Sequence, residues 1–556
     1  MVKKVFTFIS REIGGLHEAA YILGFFALLS QILALVRDRL LAYQFGAGHE
    51  LDIYYAAFRI PDFIFVSIAS IVSMSVLIPF LMERLEKGKE EAREFINAIF
   101  SFFFLVIGIT SLIVFFFTPY LVKTLFPAFE ADFSQLILMT RIMLLSPIFL
   151  GFSNFLAGIT QVYKRFFIYA LSPIIYNLGI ITGIVLFYPL WGMSGLAWGV
   201  ALGAFLHCMI QLPFVARTKL FPRLTLRPNM KVAWKVLLVS LPRTVALSSS
   251  EISKFFQIIL AAGLATGAIS IFNFAWNLQS VPLSIIGVSY SLAAFPLLTK
   301  LFTTGEHKKF LSQMITSTKH IIFWSVPIII LFIVLRAQIV RVILGAGDFS
   351  WSDTRLTAAA LALFVLSLVP QSLVLLFLRS YYARGDTKRP LIVNITSAIL
   401  IVAFSVLFIR IFNTNEVFRY FIEDLFRIQD IPGSVVLMLP LGYSVGMVIN
   451  MILHWILFEF SYRGYSAAIW RSALHIISAS VLMGYVSYVL LDVFDNIFDI
   501  NTAIGIFLQG FLAGIGGIIF GVSILVLLKN HELHDIVATL HRKIWKAKVV
   551  PTEPTM

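Results

Sequence analysis

A chain of 556 residues that is 59% hydrophobic and 13% charged, with a mean hydropathy of +0.92, is a polytopic membrane protein and not a soluble one. Its single cysteine, Cys208, excludes an intrachain disulfide and a cysteine metal cluster, and reads as a small buried hydrophobe. The net charge of +14 would suit nucleic acid, but the basic residues are spread by loop and not gathered into one patch.

The basic start, with Lys3, Lys4 and Arg11, leads into an apolar run too long for a signal-peptide core and without a small-residue cleavage site. Residues 1–19 are therefore expected to be a cytoplasmic N-terminal segment. Fourteen spanning helices are predicted, at 20–45, 51–82, 94–118, 133–161, 168–188, 193–215, 233–262, 267–299, 318–341, 357–383, 390–410, 433–460, 470–491 and 501–528. Each has enough apolar residues to cross a ~30 Å hydrocarbon core.

The first two spans meet at the turn Gly46-Ala47-Gly48, and around it lie Arg37, Asp38, Arg39, Asp52, Arg59 and Asp62. Ionisable groups at membrane depth are costly and mark a pathway or a binding site. Asp52 and Arg59 are seven residues apart, which places them on nearly one face of a continuous helix, two turns apart. Two readings stand for Asp38 and Arg39: snorkelling to water at the outer interface, or membership of a buried site. Arg37 and Arg59 lie ~13–17 Å below the turn at ~1.5 Å per residue, where snorkelling is harder. A water-filled cavity is the expectation for both.

Loop charge alternates along the chain. One side holds 29 of the 43 basic residues and the other holds six, Lys123, Arg341, Arg355, Arg410, Arg419 and Arg427. The positive-inside rule then puts both termini in the cytoplasm. The remaining eight, Arg37, Arg39, Arg59, Arg141, Arg243, Lys254, Arg336 and Arg379, fall within spans.

An internal repeat is present. Gly46-Ala47 matches Gly267-Ala268, Asp52 matches Asn273 and Pro61 matches Pro282, all at an offset of 221. After a four-residue shortening, Pro79 matches Pro296, Pro173 matches Pro390 and Asn177 matches Asn394. Spans one to six and seven to twelve share the same loop polarity, so the repeat is parallel, about an axis along the membrane normal. The expected organisation is an N-lobe (20–215), a cytoplasmic linker (216–232), a C-lobe (233–460), two further helices (470–528) and a cytoplasmic amphipathic tail (529–556). Two such lobes leave a cavity between them, suited to alternating access.

The seventh span reads LPRTVALSSSEISKFF. Arg243, Ser250, Glu251 and Lys254 fall on one broad face, with Leu247 among them. Glu251 and Lys254, at i and i+3, are placed to neutralise each other or to face the cavity together. Arg243 has no carboxylate within one turn and is the better anion ligand. The last two spans are nearly charge-free and rich in glycine, which fits close helix packing or a greasy groove for a lipid tail. Residues 412–432, with Phe418, Phe421, Ile422 and Leu425, and residues 530–548 read as amphipathic helices lying on the membrane, the first on the outer side. The chain shows no Walker loop, no zinc-ligand pair of histidines and no large soluble domain, which disfavours an ATP-driven pump or a soluble enzyme.

At residues 36–61 the chain resembles the lipid II flippase family (MurJ, also called MviN). The carriers are VRD, then FGAG, an aspartate four residues later, and AFRIP. LPRTVALSSSEIS, Phe295-Pro296 and YYARGDTKRP at 381–390 extend the resemblance over most of the chain. It implies the superfamily fold shared with MATE drug exporters, a bacterial inner-membrane location, and transfer of an undecaprenyl-pyrophosphate-linked peptidoglycan precursor from inner to outer leaflet. It also implies a central cationic cavity, a groove by helices 13 and 14 for the polyprenyl tail, and cell-wall synthesis proteins as neighbours. No cofactor is expected; membrane potential, or H+ or Na+ held by Asp38 or Asp52, is the expected drive. The same two aspartates also fit a role in holding the arginines.

Arg37, Asp38, Asp52 and the basic Arg59 match the family pattern. Departures occur where the family carries charge and this chain has Gln31, Phe65, Asn277 and Ser280. They leave open another lipid-linked glycan, or a cation-coupled export substrate. Three cavity arginines disfavour cationic drugs. A polyprenol-dependent glycosyltransferase would need paired carboxylates on a sizeable outer loop, where only Glu423-Asp424 stands.

Overall fold

Long apolar runs can satisfy their backbone in lipid only as helices or closed barrels, and this chain uses helices. The computed structural model describes residues 16–69, 74–218, 220–225 and 230–540, and no strand occurs among them. Lys3, Lys4 and Arg11, the linker residues Lys219 and Arg227, and the basic end of the tail lie outside the described residues. Among the described residues, ten helices are long and apolar enough to cross a membrane, or eleven if one bent pair counts as a span. That pair, Trp351–Val365 and Leu368–Ala383, is bent by 40° and occupies the expected span 357–383. Another expected span, 318–341, starts earlier, as His307–Val334, and a second helix follows at Arg336–Leu344.

Eight helices carry the argument below: α1 (Leu16–Phe45), α2 (His49–Ala57), α3 (Arg59–Ala69), α4 (Met230–Ala262), α5 (Ala268–Leu283), α6 (Trp351–Val365), α7 (Lys388–Thr414) and α8 (Glu416–Phe426). The expected second span is broken between α2 and α3 at Phe58. Pro61 is the cause: it has no N–H to give the carbonyl of Ala57. The chain re-enters the helix with Asp62 N bonded to Phe58 O at 2.9 Å. Of the amphipathic stretch expected over 412–432, the first three residues end α7 and a separate helix forms over α8. Asn415 Oδ1 caps it by accepting from Phe418 N at 3.0 Å, and Arg427 ends it at a φ of +56°. The tail helix is His531–Leu540.

The chain divides into two compact units. The first comprises Met1–Leu278, Ile343–Ala360 and Thr387–Gly446. Within it, Phe166–Thr182 and Met193–Met209 touch backbone to backbone: a Cβ on Gly179 would lie 2.2 Å from Gly203 Cα, and one on Gly183 2.5 Å from Gly199 Cα. Lipid offers no hydrophobic drive to pair helices, so such close approach supplies the attraction through dispersion. In the same unit α4 is pinned to α7 by Gln257, whose Nε2 donates to Ser405 Oγ and to Leu439 O, both at 2.9 Å.

The second unit comprises Gln279–Val342, Leu361–Asp386 and Met447–Met556. Phe310, Ile321, Phe377, Tyr381, Phe458 and Tyr465 form its buried core. The two C-terminal helices, Tyr465–Asp495 and Ala503–Leu527, use their glycines for packing. A Cβ on Gly484 would lie 2.3 Å from Ile330 Cγ2, and Gly517 abuts Ser487 and Met483. An apolar groove of about 780 Å³ runs along the first of these helices, lined by Ile322, Met451, Trp455, Ile469, Trp470 and Arg471. It borders the thirteenth expected span but takes no lining residue from the fourteenth.

Candidate functional site

The charged groups of α1 to α5 assemble within the first unit, and they do so in two layers. The outer layer is built on the turn after α1. Gly46 has a φ of +56°, and a Cβ there would lie 2.6 Å from Asp348 O. Its repeat partner Gly267, at a φ of +87°, would place a Cβ 2.1 Å from Ala47 O. Both positions therefore demand glycine twice over, for handedness and for space. Asp52, 3% exposed, reaches the second turn. It accepts from Gly267 N at 2.6 Å, Ser270 N at 2.8 Å and Ser270 Oγ at 2.6 Å. The first turn is held from α6 and from the residues before it. Ala47 N donates to Asp353 Oδ2 at 3.4 Å, Asp348 N donates to Tyr43 O at 3.0 Å, and Arg39 Nη1 donates to Ile343 O at 3.2 Å. Each turn of the repeat is thus clamped by an aspartate from elsewhere in the chain.

The inner layer holds the arginines. Arg37 gives Nη2 and Nε to Asp38 Oδ1 at 2.7 and 2.9 Å, and Nη1 to Asn177 Oδ1 at 3.2 Å. Asp38 is 2% exposed, and its other oxygen accepts from Asn277 Nδ2 at 2.9 Å. Arg59 is 8% exposed; it donates to Tyr55 O and to Asn273 Oδ1, each at 3.1 Å, and its Nη1 stands 3.9 Å from Asp62 Oδ2. Arg59, Asp62, Phe63, Val66, Glu251 and Phe255 line one narrow cleft, across which the rings of Phe63 and Phe255 lie 5.1 Å apart. Lys254 turns its ammonium to the ring of Trp276, 4.6 Å from the centroid.

The structure therefore brings Arg37 together with Asp38, and Arg59 with Glu251 and Asp62. Asp52 and Arg59 both turn toward α5, Asp52 to Ser270 and Arg59 to Asn273 nearly one turn further along, and Phe58 between α2 and α3 keeps helical angles. Glu251 and Lys254 form no ion pair among the described residues. Arg243 lies in α4, but its side chain is outside the described residues. Sequence reasoning passed over Ser270, Asp348 and Asp353. One signal was available: Ser350 and Asp353 form a reciprocal cap at the start of α6, Ser350 N to Asp353 Oδ2 at 2.9 Å and Asp353 N to Ser350 Oγ at 3.0 Å. The S-x-x-D spacing marks that helix start, although nothing in it tells that the same carboxylate also reaches Ala47.

Arg37, partly buried and held by Asp38 and Asn177, and Arg59, buried and held by Tyr55 O, Asn273 and Asp62, form an arrangement that can bind an anion. Each guanidinium presents a planar fork suited to phosphate oxygens. A family profile described as Lipid II flippase MurJ matches residues 41–508. A lipid II flippase MurJ of Burkholderia cenocepacia is 25% identical over 387 residues, covering 68% of this chain and 75% of the relative. A probable lipid II flippase MurJ of Borreliella burgdorferi is 28% identical over 398 residues, covering 69% and 76%. Among solved structures, a lipid II flippase MurJ in an inward closed conformation superposes with a TM-score of 0.73 at 21% identity, over 93% of this chain and all of that one. An inward-facing multidrug resistance MATE transporter gives 0.62 at 15% identity, over 79% and 95%.

Proposed function

The chain belongs to the lipid II flippase MurJ family, and from that premise we propose how its residues carry lipid II from the inner to the outer leaflet of the bacterial inner membrane. It is a transporter, not an enzyme. The observation that carries the mechanism is the pairing of Arg37 with the buried Asp38 and the link from Asp38 to Asn277.

Arg37 spends two donors on Asp38 and one on Asn177. A pyrophosphate entering beside it competes for the same fork, and so draws Arg37 off the carboxylate. Asp38 is then left buried with Asn277 alone, an unfavourable state for a carboxylate. Substrate binding thereby leaves the junction between α1 and α5, which belong to the two repeats, resting on an under-satisfied Asp38 and so loosens it. Arg59 and, from α4, Arg243 and Lys254 supply further cationic contacts, with Glu251 and Asp62 keeping the cleft from being uniformly positive. The outer layer of clamped turns keeps the site closed to the outside until that loosening occurs. Lobes at 20–215 and 233–460 then rock about the site, and the polyprenyl tail stays in lipid.

The finer architecture is part of the same reading: fourteen spans, two six-helix lobes in parallel repeat, two extra C-terminal helices and both termini in the cytoplasm. The loop-charge asymmetry of 29 to six supports it. Membrane potential drives the cycle, at ~2.3 kcal/mol per charge per 100 mV, or H+ or Na+ does so through Asp38 or Asp52. Cell-wall synthesis proteins are its neighbours.

The test is expression in cells depleted of their own lipid II flippase, with lipid II at the outer face measured by a membrane-impermeant probe and protein level by immunoblot. Restored exposure is expected. No exposure from a well-expressed chain would transfer the reading to another lipid-linked glycan, for which the neutral Gln31, Phe65, Asn277 and Ser280 are the motive.

A further inference from the structure

α8 has an apolar stripe that the protein does not cover. Val417, Phe421 and Leu425 recur at i, i+4 and i+8, on one side of the helix, and are 80%, 61% and 56% exposed. The neighbouring apolar positions do face the protein: Ile422 is buried, and Phe418 stacks on Phe408 of α7 at 6.5 Å. The helix is held firmly on its other side. Ser434 Oγ donates to Glu423 Oε1 at 2.8 Å, and the guanidinium of Arg355 grips Asp430 through two bonds at 3.0 and 2.9 Å and the carbonyl of Arg427 as well. A fixed helix with a bare apolar stripe is an interaction surface and not a loosely attached segment.

Chain geometry says what covers it. α7 has 27 residues, ~40 Å at ~1.5 Å each, against a ~30 Å hydrocarbon core. Its end therefore reaches the headgroup region. Only Asn415 separates that end from α8, so α8 starts at the border between lipid and water. The lipid-facing side of α7, with Ile399, Val406 and Leu407 exposed, leads toward it. Residues 412–432 contain four acidic side chains and two basic ones. Anionic headgroups are not attracted, so the occupant is recognised by its acyl boundary and not by its charge.

We propose that α8 docks flat on the outer leaflet of the bilayer, burying Val417, Phe421 and Leu425 at the headgroup–acyl boundary. Its side of the membrane rests on the topology proposed above; the docking itself does not. Arg355 then ties this bilayer contact to α6, the helix whose Asp353 holds the turn at Ala47.

The test uses the full chain with Cys208→Ser and one new cysteine, at Val417, Phe421, Leu425 or, as the polar control, Glu416. Each is labelled with an environment-sensitive fluorophore and reconstituted into phosphatidylcholine vesicles. The three stripe positions are expected to emit to the blue of Glu416→Cys and to be quenched by shallow nitroxide lipid. Water-like emission at all three would overturn the proposal. So would protection that grows with protein-to-lipid ratio and resists lipid quenching, which would assign the stripe to a second copy of the chain. An impermeant reductant added outside intact right-side-out membranes bleaches Glu416→Cys if the helix is outside. Persistence of that signal with lipid quenching retained would overturn the outer-leaflet side and the topology behind it, leaving docking in place.

Discussion

Asp52 and Arg59 are seven residues apart and do not meet, and their separate surroundings predict separate phenotypes. Asp52 satisfies three donors from a buried position, so Asp52→Ala leaves the N–H groups of Gly267 and Ser270 without their acceptor. A loss of about 1–3 kcal/mol is expected, read as a lower unfolding temperature in detergent. Asp52→Asn should recover only part of it, since the amide replaces one acceptor by a donor. In the proposed mechanism Arg37 belongs to the transport site instead. Arg37→Ala is expected to reach the membrane at normal level and to expose no lipid II. Arg37→Lys should fail as well, because an ammonium cannot fork across Asp38 or a pyrophosphate. Normal flipping by an expressed Arg37→Ala protein would reject this mechanism. The arginines were legible in the sequence because charge stands out in an apolar chain. Their carboxylate partners Asp38 and Asp62 stood out in the same way, but their amide partners did not. Asn177 and Asn273 stood out only as repeat positions and Asn277 only as a lost family charge, and only the fold brings Asn177 beside Arg37 and Asn277 beside Asp38.

Hydropathy located ten spanning elements, or eleven with the bent pair, that the described residues bear out, because a run of twenty apolar residues has little alternative to a helix in lipid. It could not locate breaks within them. The break at Phe58 follows from Pro61, yet Phe58 keeps helical angles, and Asp52 and Arg59 still both face α5. The glycine-rich interface between Phe166–Thr182 and Met193–Met209 gives the sharpest prediction at this scale. Gly199→Leu forces a side chain toward Gly183, where even a Cβ would lie 2.4 Å from the facing Cα. The helices must part, and a cost of at least about 1–3 kcal/mol follows from overpacking. Size-exclusion profiles of a fluorescent fusion should show loss of the monodisperse peak, with Gly199→Ala intermediate. The contact that fixes α8 has its own pH signature. Hydrogen bonding from Arg355 holds the Asp430 carboxyl below the usual aspartate range. A depressed pKa contributes its stabilisation fully above the ordinary value, and loses it as pH falls through the lowered one. Amide exchange over residues 427–433 should therefore show no added protection loss between pH 8 and about 4. Arg355→Ala should raise exchange there throughout that range.

At the scale of the whole chain, the orientation is carried by many weak preferences and not by any single residue. Each loop lysine or arginine biases its own side modestly, but 29 against six over alternating loops leaves few arrangements that satisfy them all. The arrangement has a strict consequence. One span too many or too few would invert every loop beyond the error, so accessibility must switch side at each expected crossing and nowhere else. The vulnerable stretches are the bent pair Trp351–Val365 and Leu368–Ala383, and the run from α2 to Met74–Lys87, which includes residues outside the described set. Counting the bent pair as two crossings would place Arg384 and Lys388 outside; counting it as one keeps them with the basic side. Single cysteines in a Cys208→Ser background decide this in intact cells. An impermeant maleimide is expected to label positions 123, 355 and 419. It should reach positions 93, 308, 388 and 463 only after the membrane is opened. Labelling of Lys388→Cys and Arg463→Cys from outside, with Arg93→Cys still protected, would reverse the C-terminal half. It would also remove the shared polarity on which the parallel repeat, and the rocking of two like lobes, depends.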